Sequence, residues 1–329
     1  MFLYYNSSLV PAYNLALEEY FLLQKKDEII ILWRNSPAVI VGVHQNTISE
    51  INQVYIEKHQ IPVIRRLTGG GAVYHDPGNV NFTFIQNDDT GVMCDFKRFT
   101  KPVTAFLETL GIKAELTGRN DLTIDGHKIS GNAQVIKNGR IMHHGTLLFK
   151  SVLSDAENAL HPDKEKMESK GVKSVRSRIT NISDYLSSPM SVEQFADLMY
   201  KWFSNNIPEM RAYSFSESDR CNVQKLADEK YNTWVWNYGM SPEYTFQNHK
   251  HYNFGSVEVR LNVRGGVIWN AVFYGDFFGD DEISELENIL SGCAHQREAI
   301  SSALEKSKFN VSNFIHGMTS EEFIDLLIN

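Results

Sequence analysis

A chain of 329 residues is longer than one average domain of about 150, so two domains are expected. Its 42% hydrophobic and 22% charged residues exclude a disordered chain, and a net charge of −8 opposes tight, non-specific binding to nucleic acid. Three scattered cysteines (Cys94, Cys221, Cys293), no apolar run of about 18 residues and no secretory signal over Met1 to Tyr5 argue for a soluble cytoplasmic protein without a disulfide or zinc framework.

The first element reads as a helix. Ala12, Leu15, Ala16, Leu22 and Leu23 fall on one 3.6-residue stripe, with Pro11 near its start. Glu19 falls on that stripe too and is expected at its edge. Ile29 to Trp33 and Ala38 to Val43 read as strands split by the turn Asn35-Ser36-Pro37, and Ile61 to Arg66 as a third. After a glycine-rich loop, Val80, Phe82 and Phe84 alternate with Asn79, Asn81 and Thr83. That polar face meets either solvent or a polar pocket; alternation alone leaves both open.

Residues 121 to 149 read as three strands joined by Asp125-Gly126 and Asn138-Gly139, both favoured in type I′ turns. Two-residue loops fix register. Ile124 is expected opposite His127, Thr123 opposite Lys128, Leu122 opposite Ile129 and Asp121 opposite Ser130. That places Asp121, Thr123, Lys128 and Ser130 on one polar face. Around the second turn, Gln134 is expected opposite His143 and Ala133 opposite His144, with a bulge allowed at Gly131. Residues 161 to 182 carry six lysines and arginines with weak periodicity, which fits a mobile basic loop or a solvated surface segment. Ser191 and Gln194 form a capping box before a helix, and Thr319 and Glu322 form another near the end. The turn-rich stretch Asn237 to Pro242 marks a boundary, giving domains 1–242 and 243–329. Beyond it, Val257 to Val263 and Val267 to Tyr274 read as a hairpin around Gly265-Gly266, followed by helices.

Three constellations carry chemistry. Arg65-Arg66 precede Gly69, Gly70 and Gly71, then Ala72, Val73 and Tyr74. Three glycines let a ligand approach the backbone, free N–H groups cradle anions, and Arg66 adds a planar cation. The loop is neither a Walker A sequence nor a dinucleotide fingerprint. The second is Lys128, which the register sets among Asp121, Thr123 and Ser130. It is either a solvent-facing lysine or an ammonium that stabilises charge developing on a carboxylate or phosphate. The third, His143-His144, points to opposite faces of a strand, does not chelate one metal easily and fits a packing or hydrogen-bonding role.

These residues resemble lipoate–protein ligases of the biotinyl/lipoyl protein ligase family. The matching segments are RRLTGGGAVYHDPGNVNFTFI from Arg65 to Ile85 and GRNDLTIDGHKISGNAQVIKNGRIMHHGTLLF from Gly118 to Phe149. LWRN at Leu32 to Asn35, HQN at His44 to Asn46 and SVRSRITNI at Ser174 to Ile182 are similar as well. The resemblance implies an α+β fold: a mixed sheet with flanking helices plus a small α+β C-terminal accessory domain. It implies ATP-dependent activation of lipoate to lipoyl-AMP, with Mg²⁺. Transfer then goes to a lysine on a lipoyl domain of a 2-oxoacid dehydrogenase or on the glycine-cleavage H protein. By motif, Lys128 is the catalytic lysine at the acyl–phosphate junction. Arg66 and Gly71, Ala72, Val73 and Tyr74 hold ATP and the adenylate. Trp33, Gly70, Gly71 and Lys128 line the lipoate pocket, and the basic 164 to 178 segment resembles the loop that covers the adenylate. The resemblance assigns no metal ligands.

Two rivals stand beside this reading. An octanoyl or lipoyl transferase of the same fold uses a cysteine and no ATP; Cys94 is the only cysteine of the N-terminal part, and no histidine lies near it in sequence. A non-catalytic binder of lipoylated carriers is the other, and the intact glycine loop and Lys128 argue against it.

Overall fold

Alternating and continuous apolar runs place most of the strands where the sequence puts them. The computed structural model describes residues 1–45, 47–88, 95–118, 120–160, 179–238, 246–264, 267–295 and 297–328. The chain opens with β1 (Phe2–Asn6), α1 (Pro11–Leu23) and β2 (Ile29–Trp33). It then runs through β3 (Ala38–Val41), β4 (Val63–Arg65) and β5 (Val73–His75) into the long β6 (Asn79–Asn87). After the helix Phe96–Thr109 come β7 (Glu115–Thr117), β8 (Asp121–Ile124), β9 (His127–Lys137) and β10 (Arg140–Leu148). The helix Val192–Asn206 leads to the short β11 (Arg211–Ala212), followed later by β12 (Phe246–Tyr252), β13 (Gly255–Arg264) and β14 (Val267–Gly275).

Eight strands form one mixed sheet in the order β11-β1-β2-β6-β10-β9-β8-β7. A smaller sheet, β4-β3-β5, belongs to the same half of the chain, and β12-β13-β14 form a third. One face of the large sheet carries Val80, Phe82 and Phe84 against the helices Phe96–Thr109 and Val192–Asn206, where Phe106 meets Phe195 at 5.4 Å. Each fully buried side chain of this size contributes about 1.5–3 kcal/mol. The opposite face is covered by α1, which starts with Pro11 at its first turn and buries nearly every position. Such a helix is apolar on more than a stripe, so its two carboxylates are drawn inside. Glu19, expected at the stripe's edge, is 7% exposed and accepts from Lys230 Nζ at 2.7 Å and Tyr231 OH at 2.6 Å.

Both hairpin turns form as the sequence predicts. Asp125, Gly126, Asn138 and Gly139 all take positive φ, the requirement of type I′. Gln134 faces His143 and Ala133 faces His144. The first hairpin departs from its expected register. Thr123 faces Lys128, but a β-bulge then sets Leu122 opposite Ser130 and Asp121 opposite Gly131. The extra residue keeps both Leu122 and Ile129 in the apolar core and turns Ser130 inward. The bulge therefore lies before Gly131 rather than at it. Both capping boxes are present, at Ser191/Gln194 and Thr319/Glu322.

Residues 252–327 build a core of their own from β12-β13-β14 and the helices Ile283–Leu290, Arg297–Ser307, Val311–Phe314 and Ser320–Ile328. Among the described residues no helix is long and apolar enough to cross a membrane. Cys94, Arg119, the turn Gly265-Gly266, Asn46, residues 239–245 with most of the boundary stretch Asn237 to Pro242, and the basic segment 161–178 lie outside the described residues.

Candidate functional site

The paired arginines build the glycine loop from behind. Arg65 Nη1 donates to the carbonyls of Gly42 (2.9 Å), Val43 (3.0 Å) and Gln45 (2.7 Å), and Nη2 donates to Thr47 Oγ1 at 2.7 Å. Arg66 donates from Nε to Thr68 Oγ1 (2.9 Å), from Nη1 to Ile40 O (3.1 Å), and from Nη2 to the carbonyls of Gly69 (2.6 Å) and Gly71 (2.9 Å). With its carbonyls drawn back onto Arg66, the loop turns its amides outward. Among the described residues the N–H groups of Gly70 and Gly71 carry no hydrogen bond. Gly70 takes φ of +91°, a left-handed conformation that favours glycine. Burial lowers the Arg66 pKa to about 10, with Glu18 partly offsetting the effect, so the guanidinium stays charged at neutral pH. Ala72 and Val73 are half-buried; Tyr74 is buried in β5, and burial raises its phenol pKa.

The β8–β9 hairpin presents the second cation. Lys128 Nζ sits 2.7 Å from Asp121 Oδ1, both side chains one-third exposed. The lysine lies over Gly131, where an added Cβ would come within 3.0 Å of Nζ. The bulge and the bare Gly131 together explain the Lys-x-Ser-Gly spacing. Gly131 N–H in turn donates to Thr146 Oγ1 at 3.2 Å. Thr146 pairs with Asn81, and Asn81 with Trp33. One row across four strands thus joins the lysine's glycine to the indole, roughly 14 Å at about 4.8 Å per strand.

The polar face of β6 is turned inward. Asn79, Asn81 and Thr83 are at most 1% exposed, so the solvent reading does not hold and the row is buried beside Trp33 and Glu18. Trp33 Nε1 donates to Thr83 Oγ1 (2.9 Å), and Thr83 donates to Glu18 Oε1 (2.6 Å). His144 Nδ1 donates to the same carboxylate at 2.9 Å, and its Nε2 is 2.8 Å from Thr68 Oγ1. The chain of contacts from Trp33 through Glu18 and His144 ends on Arg66. His143 faces the other way. It is stacked on Phe99 at 4.9 Å, and its Nε2 lies 3.2 Å from Asn132 Oδ1, so it supports the β9 strand that carries Lys128. Burial pushes its pKa well down.

The C-terminal part touches the loop directly. Gly275 N–H donates to His44 O at 2.5 Å, and the His44 ring stacks on Phe277 at 4.6 Å. A Cβ on Gly69 would lie 2.3 Å from the Phe277 carbonyl. Phe278 meets Phe96 at 5.8 Å, and Lys137 pairs with Glu282.

The geometry brings Trp33, Arg66, Gly70, Gly71 and Lys128 onto one side of the large sheet. Sequence reasoning missed Glu18 and the Gly275–Phe278 segment, whereas the packing or hydrogen-bonding role expected of His143 and His144 is the one they fill. Glu18 gives no sequence signal, because a carboxylate in a helix is ordinarily solvated. For Gly275–Phe278, two glycines bracketing Asp-Phe-Phe across 275–279 were the available sign of a close backbone approach.

Residues 10–204 match the family described as lipoyl protein ligase A/B catalytic domain, and residues 241–327 match the bacterial lipoate protein ligase C-terminus. The chain is 43% identical to lipoate-protein ligase LplJ of Bacillus subtilis (strain 168), over 96% of each chain. It is similar to the crystal structure of LipL1 of P. falciparum in complex with lipoate: TM-score 0.79, 26% identity, 98% of this chain and 97% of that one. It is also similar to a crystal structure of lipoate-protein ligase A bound with ATP: TM-score 0.62, 26% identity, 70% of this chain and 95% of that one.

Proposed function

The chain belongs to the lipoate–protein ligase family, and on that premise we propose how its site performs ATP-dependent lipoylation. The lipoate carboxylate attacks the α-phosphorus of ATP, forming lipoyl-AMP and releasing pyrophosphate. The amine of an acceptor lysine then takes the acyl group and AMP leaves. The acceptors are a lipoyl domain of a 2-oxoacid dehydrogenase or the glycine-cleavage H protein. A carboxylate is a poor acyl donor, and adenylation supplies the leaving group. The enzyme's work is to align two anions and neutralise them.

The observation that carries this reading is the row from Lys128 to Trp33. It holds a cation at one end and an indole at the other, about the span of an extended acyl chain apart. Lys128 Nζ is the catalytic group at the acyl–phosphate junction, exchanging its Asp121 contact for the reacting oxygens. The stretch from Gly71 through Ala72 and Val73 to Tyr74 lies along the nucleotide phosphate, with the N–H groups of Gly71 and Ala72 available to it while Val73 pairs with Ile40. Gly70 and Gly71 leave room for the lipoate carboxylate, and Trp33 meets the tail. Arg66 acts on the nucleotide through the loop it shapes, since its donors are turned to Thr68, Ile40, Gly69 and Gly71.

Mg²⁺ accompanies ATP in this reading. Among the described residues no three His, Cys, Asp or Glu side chains converge on a metal position. The ion would be carried by the ATP phosphates and water, and the Asp121 carboxylate beside Lys128 is the residue that would hold it. Bound there, the ion supplies neutralisation of phosphate charge. Residues 1–242 form the catalytic unit and 243–329 the accessory unit, supported by the separate core of residues 252–327. The cytoplasm, where ATP is supplied, is the proposed place of work.

The test is direct: incubate the protein with lipoate, ATP, Mg²⁺ and a purified lipoyl domain. A mass increase on the acceptor lysine that needs all components is expected. An acceptor that stays unmodified while the protein is folded and binds lipoate contradicts the reading.

A further inference from the structure

Three buried polar atoms next to Trp33 have no hydrogen-bond partner: His75 Nε2, Asn79 Oδ1 and Asn81 Nδ2. Their residues are 4%, 0% and 1% exposed. Asn81 sits opposite Trp33 across β2 and β6, Asn79 follows on the same face, and the His75 ring lies 6.0 Å from the indole at 61°.

The proton on His75 can be placed from the surrounding bonds. Asn14 Nδ2 donates to the main-chain carbonyls of Ser8 (3.0 Å) and Arg34 (2.8 Å), which fixes that amide. Asn35 Oδ1 lies 2.8 Å from the same amino group, where a second amino group would be repelled, so Asn35 Nδ2 is the group 3.0 Å from His75 Nδ1 and donates to it. His75 therefore carries its proton on Nε2. Burial, with Arg66 and His144 nearby, lowers its pKa to about 3 and keeps the ring neutral. The Asn79–Asn81 pair shares one bond of 2.8 Å from Nδ2 to Oδ1. Turning both amides over exchanges their roles, but one amino group and one carbonyl stay unpaired either way. The wall thus holds two unsatisfied donors and one unsatisfied acceptor, an unusual concentration for a folded interior.

We infer that His75, Asn79 and Asn81 form a polar end wall of the acyl pocket that selects the sulfur-bearing ring of lipoate over the plain alkyl chain of octanoate. The inference rests on the placement of the tail at Trp33 proposed above. A thioether-like sulfur has lone pairs and accepts weakly from N–H groups. A terminal methyl accepts from nothing, so octanoate leaves both donors buried and bare. Lipoate and octanoate share the carboxylate end, so this wall acts on the choice of acid and not on the adenylation step itself.

The experiment measures kcat/KM for lipoate and for octanoate by ATP–pyrophosphate exchange, in the wild-type chain and in Asn81→Leu, which keeps bulk and removes the amide. The lipoate-to-octanoate ratio is expected to fall about tenfold, mainly through KM for lipoate. An unchanged ratio in the folded variant overturns the inference. Should Asn81→Leu fail to fold, ¹⁵N-histidine NMR of the wild-type protein decides. Lipoate is expected to shift the His75 Nε2 resonance and octanoate to leave it in place; equal shifts overturn the inference. Trp33→Phe separates the two layers. If it changes KM for both acids while the Asn81→Leu ratio holds, only the polar wall fails. If it changes neither, the placement of the tail fails.

Discussion

The two faces of the large sheet meet opposite requirements with one alternating sequence. On one face Val80, Phe82 and Phe84 join a core sealed by the helices Phe96–Thr109 and Val192–Asn206. On the other, Asn79, Asn81 and Thr83 enter a buried seam with Trp33, Glu18 and His144. The neighbours His143 and His144 mark the division: one ring is boxed by Phe82, Phe84, Phe96 and Phe99, the other is bonded to a carboxylate and a threonine. The first face is largely apolar, while the second combines the α1 core with the polar seam where the proposed chemistry lies. Substitutions on the two faces should therefore separate stability from turnover.

The largest effect is expected on the apolar face. Phe106→Ala should cost about 3–5 kcal/mol of stability and leave the turnover of the remaining folded protein near normal. Chemical denaturation with an activity assay per folded molecule checks both halves; a turnover loss without destabilisation would break the division. Next comes Lys128→Ala. Its side chain is partly exposed and leaves no cavity, so the unfolding midpoint should hold while adenylation falls roughly 10²–10³-fold. Near-normal turnover would make the lysine a surface residue.

Two glycines sharpen the contrast further. A Cβ at Gly69 would collide with the Phe277 carbonyl, whereas one at Gly71 meets nothing nearer than Asp276 Cβ at 3.9 Å. Gly69→Ala should cost about 1–3 kcal/mol and loosen the Gly275–Phe278 segment. Gly71→Ala should keep stability and weaken ATP binding. Thermal melts alongside KM for ATP distinguish them, and equal melts contradict the contact.

Acidity gives smaller, opposed effects. His75 titrates near pH 3 when folded, against 6.5 for a free histidine, because burial disfavours the charged ring. Between those values the unfolded chain binds more protons, so this contribution is lost as pH falls below about 6.5. Glu287, in the C-terminal part, has its pKa raised by burial to about 7 from 4.5, partly offset by the Phe273 N–H bond. There the folded chain binds more protons, and stability is lost as pH rises from about 4.5 to 7. Glu287→Gln should flatten that second slope in pH-dependent melts, and a slope that persists would place its cause elsewhere. The smallest effect is expected from Cys94→Ser, which should leave activity unchanged because the adenylate route needs no thiol. Complete loss in a stable variant would favour the cysteine transferase.

Most of the strands, both type I′ turns and the capping boxes were legible because each depends on neighbours within a few residues; β1, β5, β7, β11 and β12 were not read from the sequence. The glycine loop and Lys128 were legible for the same reason. Glu18 and Gly275–Phe278 were not: their partners, His144 and Gly69, lie far along the chain, and nothing local marks a buried carboxylate or a docked segment. The register slip at Leu122 has a related cause. Keeping both Leu122 and Ile129 in the core outweighed regular pairing, a choice made by packing that the turn residues cannot encode.

The account depends most on activation through a mixed anhydride with AMP. ATP–pyrophosphate exchange in the purified chain tests that step without any acceptor protein. Exchange that requires lipoate and disappears in Lys128→Ala is the predicted result. Acyl transfer from a carrier thioester in the absence of nucleotide, with no lipoate-dependent exchange, would contradict it.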